Sequence, residues 1–426
     1  MQTNKNLKLI AAMALFSSSL FAAQDLIWDG STDGLWTTGT NWSTDPAVVD
    51  TSDPSTTINI PSAAFTVNQT VGVSSPDYFQ LMDLTVANSA GGRTIVGRID
   101  FSDGGAYNLS GSQATTLGNF DAGQSYRIQA GRTVTLNNSN SNGSNFLRNL
   151  TGSGTLVITG GGFMNFQSND SFSGTIRLES GRYNQQNNGW QPASPAVFQI
   201  AGGILSARAS STMGANVSFE LENNFRWDSG QALTLAGPVS ITHATGVTID
   251  LEGGGNLRTI SGVISGVGKS LTFTDNDSSI TLSGANANTY SGGTILDNVG
   301  GGAKVTVAKD GGLGLGDVTV TNGAVLTLQS GSTHDYINDL ASLILFDGAL
   351  VDLNFTGTDT LSALSFDGGS TFASNGTWGA TGSGASNLND TFFTGTGTLS
   401  VIPEPSTLML LGIALASLGL LRRRIR

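Results

Sequence analysis

Gly316-Asp317-Val318-Thr319-Val320-Thr321-Asn322-Gly323-Ala324-Val325-Leu326-Thr327-Leu328 holds two short runs of apolar residues alternating with threonine, separated by an Asn-Gly step. Successive side chains of a strand point to opposite faces, so this alternation with β-branched residues is a strand signature. Asn-Gly supplies the turn, because both residues tolerate positive φ. The same device recurs on either side. Thr133-Val134-Thr135-Leu136 runs into Asn137, Thr155-Leu156-Val157-Ile158 into the glycines from Gly160, and Val247-Thr248-Ile249-Asp250-Leu251 into Glu252 and Gly253. Leu271-Thr272-Phe273, Ile280-Thr281-Leu282, Val305-Thr306-Val307 and Leu364-Ser365-Phe366 repeat it. No segment between the two ends sustains a helical period, so the body reads as all-β.

Strands that begin roughly every ten residues suit a sandwich, a barrel or a solenoid. The body, residues 24–400, is long for one sandwich and has no Pro-rich or charge-rich break, whereas a solenoid grows by stacking and needs no boundary. Asp170-Ser171-Phe172-Ser173-Gly174-Thr175-Ile176 is echoed by Asn288-Thr289-Tyr290-Ser291-Gly292-Gly293-Thr294-Ile295, an aromatic-Ser-Gly step leading into a strand. Residues 282–331, which contain the second copy and the opening stretch, resemble the autotransporter-associated β-strand repeat. That resemblance implies a right-handed parallel β-helix and carries no catalytic activity with it. On the order of 15 rungs at about 4.8 Å each would give a rod roughly 70 Å long.

Composition agrees with an extracellular protein of this kind. Glycine, at 58 of 426 residues, is about twice the usual share, and charged residues, at 12%, are about half of it. Residues 24–421 hold 13 Lys and Arg against 31 Asp and Glu, a formal charge near −18, so nucleic acid is not an expected partner. The chain has no cysteine, which removes disulfides, thiolate metal sites and cysteine nucleophiles together.

The two ends carry addresses. Lys5 and Lys8 precede an apolar run from Leu9 to Leu20 that is too short to span a bilayer, so residues 1–23 read as a signal peptide for the Sec translocon. At the other end Pro403-Glu404-Pro405 stands directly before an uncharged apolar run at 407–421, followed by Arg422, Arg423, Arg424 and Arg426. As a helix the run covers roughly 22 Å against a hydrocarbon core of roughly 30 Å, a gap that thinning and arginine snorkelling close. A short C-terminal transmembrane helix with its arginines on the cytoplasmic side is expected. Residues 401–426 resemble the PEP-CTERM sorting signal of Gram-negative bacteria. The resemblance implies recognition by an exosortase-type enzyme at the inner membrane, removal of the tail, and release to the cell surface or extracellular matrix. An ordinary single-pass anchor is the plainer alternative.

The mature start, residues 24–45, has three tryptophans: Trp28, Trp36 and Trp42. Flat rings suit sugar faces, but a solenoid's first rung also needs bulky residues to cover its open edge, and capping is the favoured reading.

Catalytic chemistry is hard to assemble. His243 and His334 are the two candidates for a base near neutral pH, and no Gly-x-Ser-x-Gly elbow fixes a nucleophile. Asp275-Asn276-Asp277 and Gly311-Gly312-Leu313-Gly314-Leu315-Gly316-Asp317 fall short of calcium loops and read as turns. No cofactor or metal is expected. The expectation is a noncatalytic surface or matrix protein, structural or adhesive, whose polar faces meet extracellular polysaccharide or matrix. The alternative is a polysaccharide hydrolase or lyase on the same scaffold, which requires carboxylates and a basic residue gathered in one groove. A self-translocating autotransporter would need a C-terminal barrel of alternating strands, and this chain ends in an apolar run instead.

Overall fold

The computed structural model describes residues 25–27, 42, 57–60, 69–72, 79–88, 93–96, 98–117, 125–167, 171–187, 189–228, 230–252, 258–275, 278–298 and 303–402. The expected signal peptide at 1–23, most of the cap at 24–45 and the helix at 407–421 lie outside these residues.

Among the described residues there are strands, turns and bends but no helix. The strands form sheets of 13, 14 and 8 members running along the molecule, with a 4-stranded sheet at the C-terminal end. Pairing is parallel in every long sheet, and each strand joins the one a full circuit away, which makes the body a parallel β-solenoid. Leu271, Thr294, Val318, Leu343 and Leu364 share one register position on five successive strands of the 14-stranded sheet. The spacings are 23, 24, 25 and 21 residues. Fourteen stacked strands span about 60 Å.

The predicted runs appear where alternation placed them: Thr133–Asn138, Thr155–Gly160, Gly246–Glu252, Ser270–Asp275, Val318–Val320 and Val325–Gln329 are all strands. The run at Leu364 is shifted by one residue, to Ala363–Ser365. Their apolar members point inward. Ile280, Val305, Leu326, Val351 and Phe393 form a continuous buried column on the 8-stranded sheet. Each such side chain contributes about 1.5–3 kcal/mol through burial. Aromatic rings add directional contacts in the middle of the rod, where Tyr183 stacks on Phe166 at 4.4 Å and meets Phe198 edge-on at 4.8 Å.

The aromatic-Ser-Gly echo has a packing cause. Phe172 and Tyr290 are fully buried plugs. A Cβ on Gly174 would run into the Gly154 carbonyl of the rung beneath, and one on Gly292 into the peptide joining Lys269 and Ser270. Both glycines mark places where adjacent backbones touch.

Trp42 is likewise fully buried, so its ring is not available to a sugar. Trp28 and Trp36 lie outside the described residues. At the far end Gly376–Gly379 pairs antiparallel with Thr398–Val401, and Phe366 packs against Trp378, Phe392 and Phe393 at 5.0–5.9 Å. An antiparallel strand and an aromatic plug thus close an edge that would otherwise template association.

Candidate functional site: the C-terminal corner and its tail

Ile264–Ser265 is the last strand in the order of the 13-stranded sheet. Beyond it that side of the solenoid is carried by loops at 283–293, 308–317, 330–341 and 355–357, until Thr358–Leu361 resumes the strand pattern. These loops gather Tyr290, Lys309, Asp310, Asp335 and Tyr336, each with shifted protonation.

Lys309 is 3% exposed, and its Nζ donates to Asn288 Oδ1 at 2.8 Å and to the Gly262 carbonyl at 3.5 Å. Asn288 Oδ1 also accepts the Ile264 N–H, and Nδ2 donates to the Gly312 carbonyl, so one buried amide ties three rungs together. Burial pushes the Lys309 ammonium down to about 8.

Asp359 is 1% exposed. Its Oδ2 accepts the Tyr336 and Ile337 N–H groups at 3.2 and 3.1 Å, while Oδ1 has no partner. Burial raises this carboxyl to about 8 despite those donors, and the nearby Asp335 charge adds to the rise. Asp335 is itself raised, by burial and then by Asp339 and Asp310. Asp310 goes the other way: burial opposes its ionisation, but donors on Ser332 and Thr333 outweigh it and hold the carboxylate below its usual range.

The histidines are committed to local structure. His334 adopts φ 62°, stacks on Phe355 at 5.3 Å, and has Nδ1 3.5 Å from the Tyr336 hydroxyl. His243 Nδ1 accepts the Thr245 N–H within its own turn. In the glycine-rich stretch after Asp310, Asp317 accepts the Ser342 N–H at 2.7 Å, a turn-fixing role. Asn276 and Asp277 lie outside the described residues. Among the described residues no group of three or more His, Cys, Asp or Glu is disposed to hold a metal ion. A protonated carboxyl and an ionised one do share this corner, but Asp359 is sealed inside and the oxygens of Asp310 are occupied by the Ser332–Asp335 turn.

The corner leads straight into the tail. Val401 is buried at the end of the last strand, and the Ile402 N–H donates to the Leu361 carbonyl at 3.2 Å while its side chain is 46% exposed. Pro403 follows directly. From Asp310 to Ile402 the chain carries nine aspartates and no lysine or arginine. Residues 401–424 match the PEP-CTERM protein-sorting motif. No curated protein and no solved structure matches the chain.

The sorting motif covers Pro403, Glu404, Pro405, Arg422, Arg423 and Arg424, and Arg426 stands two residues past its end. All seven lie outside the described residues. The match begins inside the final strand, so signal and fold are contiguous without a spacer. A motif of this kind implies export and processing by an exosortase-type system of Gram-negative bacteria. No helix of the described residues is long and apolar enough to cross a membrane.

Sequence reading missed Arg258, Lys309 and Asp359. Arg258 sits in the inward column next to Ile280, fully buried, donating to the Trp227, Ser279 and Glu252 carbonyls. A usable signal existed for two of them: Arg258 has the parity of Ile260, and Asp359 that of Leu361, and both partners face the core.

Proposed function

We propose that this protein is a noncatalytic, exported β-solenoid sorted by an exosortase-type system to the cell surface or extracellular matrix, where it has a structural or adhesive role. The observation that carries the reading is the sorting motif joined directly to a capped solenoid. The Sec translocon delivers the chain, the apolar run at 407–421 holds it in the inner membrane as a short helix, and the arginines stay on the cytoplasmic side. Processing then frees the rod. Right-handed winding is favoured by the strong handedness preference of parallel crossovers and by the repeat resemblance at 282–331.

The rival, a polysaccharide hydrolase or lyase, has less support: Asp359 is sealed inside, the oxygens of Asp310 are taken up by the Ser332–Asp335 turn, and no lysine or arginine follows Asp310 as far as Ile402 to complete a groove. Mass spectrometry of surface-extracted protein tests the sorting reading. The chain should lack Arg422 to Arg426 when the sorting enzyme is present and keep them when it is deleted. An intact C-terminus in both strains would sink it.

A further inference from the structure

We propose that the uncut chain lies lengthwise on a zwitterionic lipid surface along the corner where each circuit enters the 14-stranded sheet, with Val267, Leu315, Leu340 and Ile402 touching the lipid. The proposal rests on the membrane-held stage of the reading above and adds a second contact to it.

Hydrogen bonds trace this corner from rung to rung. The Ile402 N–H donates to the Leu361 carbonyl, Ser362 to Ala341, Ser342 to the Asp317 carboxylate, Leu315 to Tyr290 and Ser291 to Gly266. Strand register agrees, because Leu271, Val318 and Leu343 stand level on the sheet and Val267, Leu315 and Leu340 precede them by three or four residues. Leu361 pairs in turn with Val401, which brings Ile402 to the tip end of the same row. Five rung steps at about 4.8 Å make the row about 24 Å long.

The row is open to solvent. Val267 is 89% exposed, Leu340 78% and Leu315 48%, and with Ile402 they are four of the eight exposed large apolar side chains among the described residues. The rungs between them carry Ser291 and Ser362 at the corner, side chains too small to screen their neighbours. Isolated exposed leucines are ordinary on a protein surface, but an aligned row marks a contact.

The occupant follows from where the row ends. Four residues, 403–406, separate Ile402 from the apolar run, and they reach at most about 14 Å. With that run in the bilayer, the tip of the row is held at the headgroups. Its other members then meet lipid as part of one tethered molecule, at an effective concentration high enough for weak insertion to suffice. The row runs along the rod axis, so the rod lies down on the membrane. Charge selects the lipid. Asp317 and Asp339 are exposed beside Leu315 and Leu340, and Lys269, beside Val267, is engaged at the Ala244 carbonyl. Carboxylates are repelled by an anionic leaflet and accept hydrogen bonds from the ammonium of an ethanolamine headgroup.

The chain has no cysteine, so V267C, L315C, L340C and T306C can each carry a single fluorophore. Each circuit passes Ile264–Ser265, Ser270–Asp275 and Ser279–Leu282 in turn, which sets the 8-stranded sheet opposite this corner. Thr306 faces outward there, between buried Val305 and Val307. Uncut protein from a strain lacking the sorting enzyme is reconstituted into vesicles of phosphatidylethanolamine and phosphatidylcholine that contain a nitroxide lipid. Quenching at 267, 315 and 340 should exceed that at 306 by at least about two-fold, and the excess should shrink when phosphatidylglycerol replaces the zwitterionic lipids. Equal quenching at all four positions, quenching at 340 alone, or a larger excess in phosphatidylglycerol would overturn the proposal. So would a label at 340 already shielded from aqueous iodide without vesicles, since the chain's own tail would then cover the row. Flotation separates this contact from the reading beneath it. A chain that floats with the vesicles while its labels stay unquenched overturns only the row, and a chain that does not float overturns the membrane-held stage and the row with it.

Discussion

Asp359 accepts the main-chain N–H of Ile337 at 3.1 Å from a carboxyl group closed off from solvent. This bond anchors a loop of the rung beneath to the first strand of the terminal sheet, and it is made by a group whose folded-state pKa stands near 8 against an ordinary 3.8. Between those values the folded chain holds a proton that the unfolded chain has lost. Stability from this group is therefore fully present below about pH 4 and is lost as pH rises toward 8. Asp359→Asn should flatten that part of the stability–pH curve and leave the protein more stable than the parent at pH 8. Urea midpoints at pH 5, 6.5 and 8 would show it, and parallel curves for the two proteins would refute it.

Lys309 has the opposite sign. Its pKa is lowered to about 8 from 10.5, so at neutral pH folding has to bury a charge that the unfolded chain keeps in water. The penalty is complete below pH 8 and is relieved as pH climbs to 10.5. Lys309→Met should raise the midpoint at pH 7 and remove the relief above pH 8. A lower midpoint at pH 7 would mean that the hydrogen bond to Asn288 outweighs the buried charge.

Gly174 and Gly161 make a matched pair. A methyl group at Gly174 meets the Gly154 carbonyl, whereas at Gly161 it meets nothing within 4 Å. Gly174→Ala should cost about 1–3 kcal/mol or more through forced backbone separation. Gly161→Ala should be neutral or slightly stabilising, by less than about 1 kcal/mol. Thermal melts of the two variants would rank them, and equal losses would dispose of the close-approach argument.

Replacing Phe198 by alanine removes a ring that touches Tyr183 at 4.8 Å, Trp190 at 6.4 Å and Phe219 at 6.3 Å. A loss of about 3–5 kcal/mol is expected for a fully buried phenylalanine. Hydrogen exchange should show that the loss is felt first on the rungs around residues 176–221. Uniform loss along the rod would show instead that the solenoid melts as one unit.

In the tail, Pro403→Ala combined with Pro405→Ala should leave an unprocessed chain in the membrane fraction, detected by its full mass. Normal processing of that variant would detach the proline motif from recognition.

The strands were legible because a buried row of Val, Ile and Leu beside an outward row of Thr and Ser leaves a period of two, as at Val318–Val320. Stacking was legible from length and from the Phe172 and Tyr290 echoes. The charged and polar features were not. Asn165 and Asn184 alternate like solvent-facing residues, and the loop that covers Asn165 comes from a different rung. Lys309 lies in a glycine-rich loop with no parity to read, and its amide partner is 21 residues away. The strands that carry Arg148, Arg182 and Arg208 come together only when the circuit length brings them into register, so that grouping cannot be read from the chain.

The column from Leu271 to Leu364 turns chain length into reach. Each circuit repeats the same contacts, so duplicating or deleting one unit of about two dozen residues would move the plugged tip by a single step of about 4.8 Å and leave both ends as they are. A lineage of such proteins could tune how far its members stand from the envelope in discrete increments, by recombination within the repeats and without inventing a new surface.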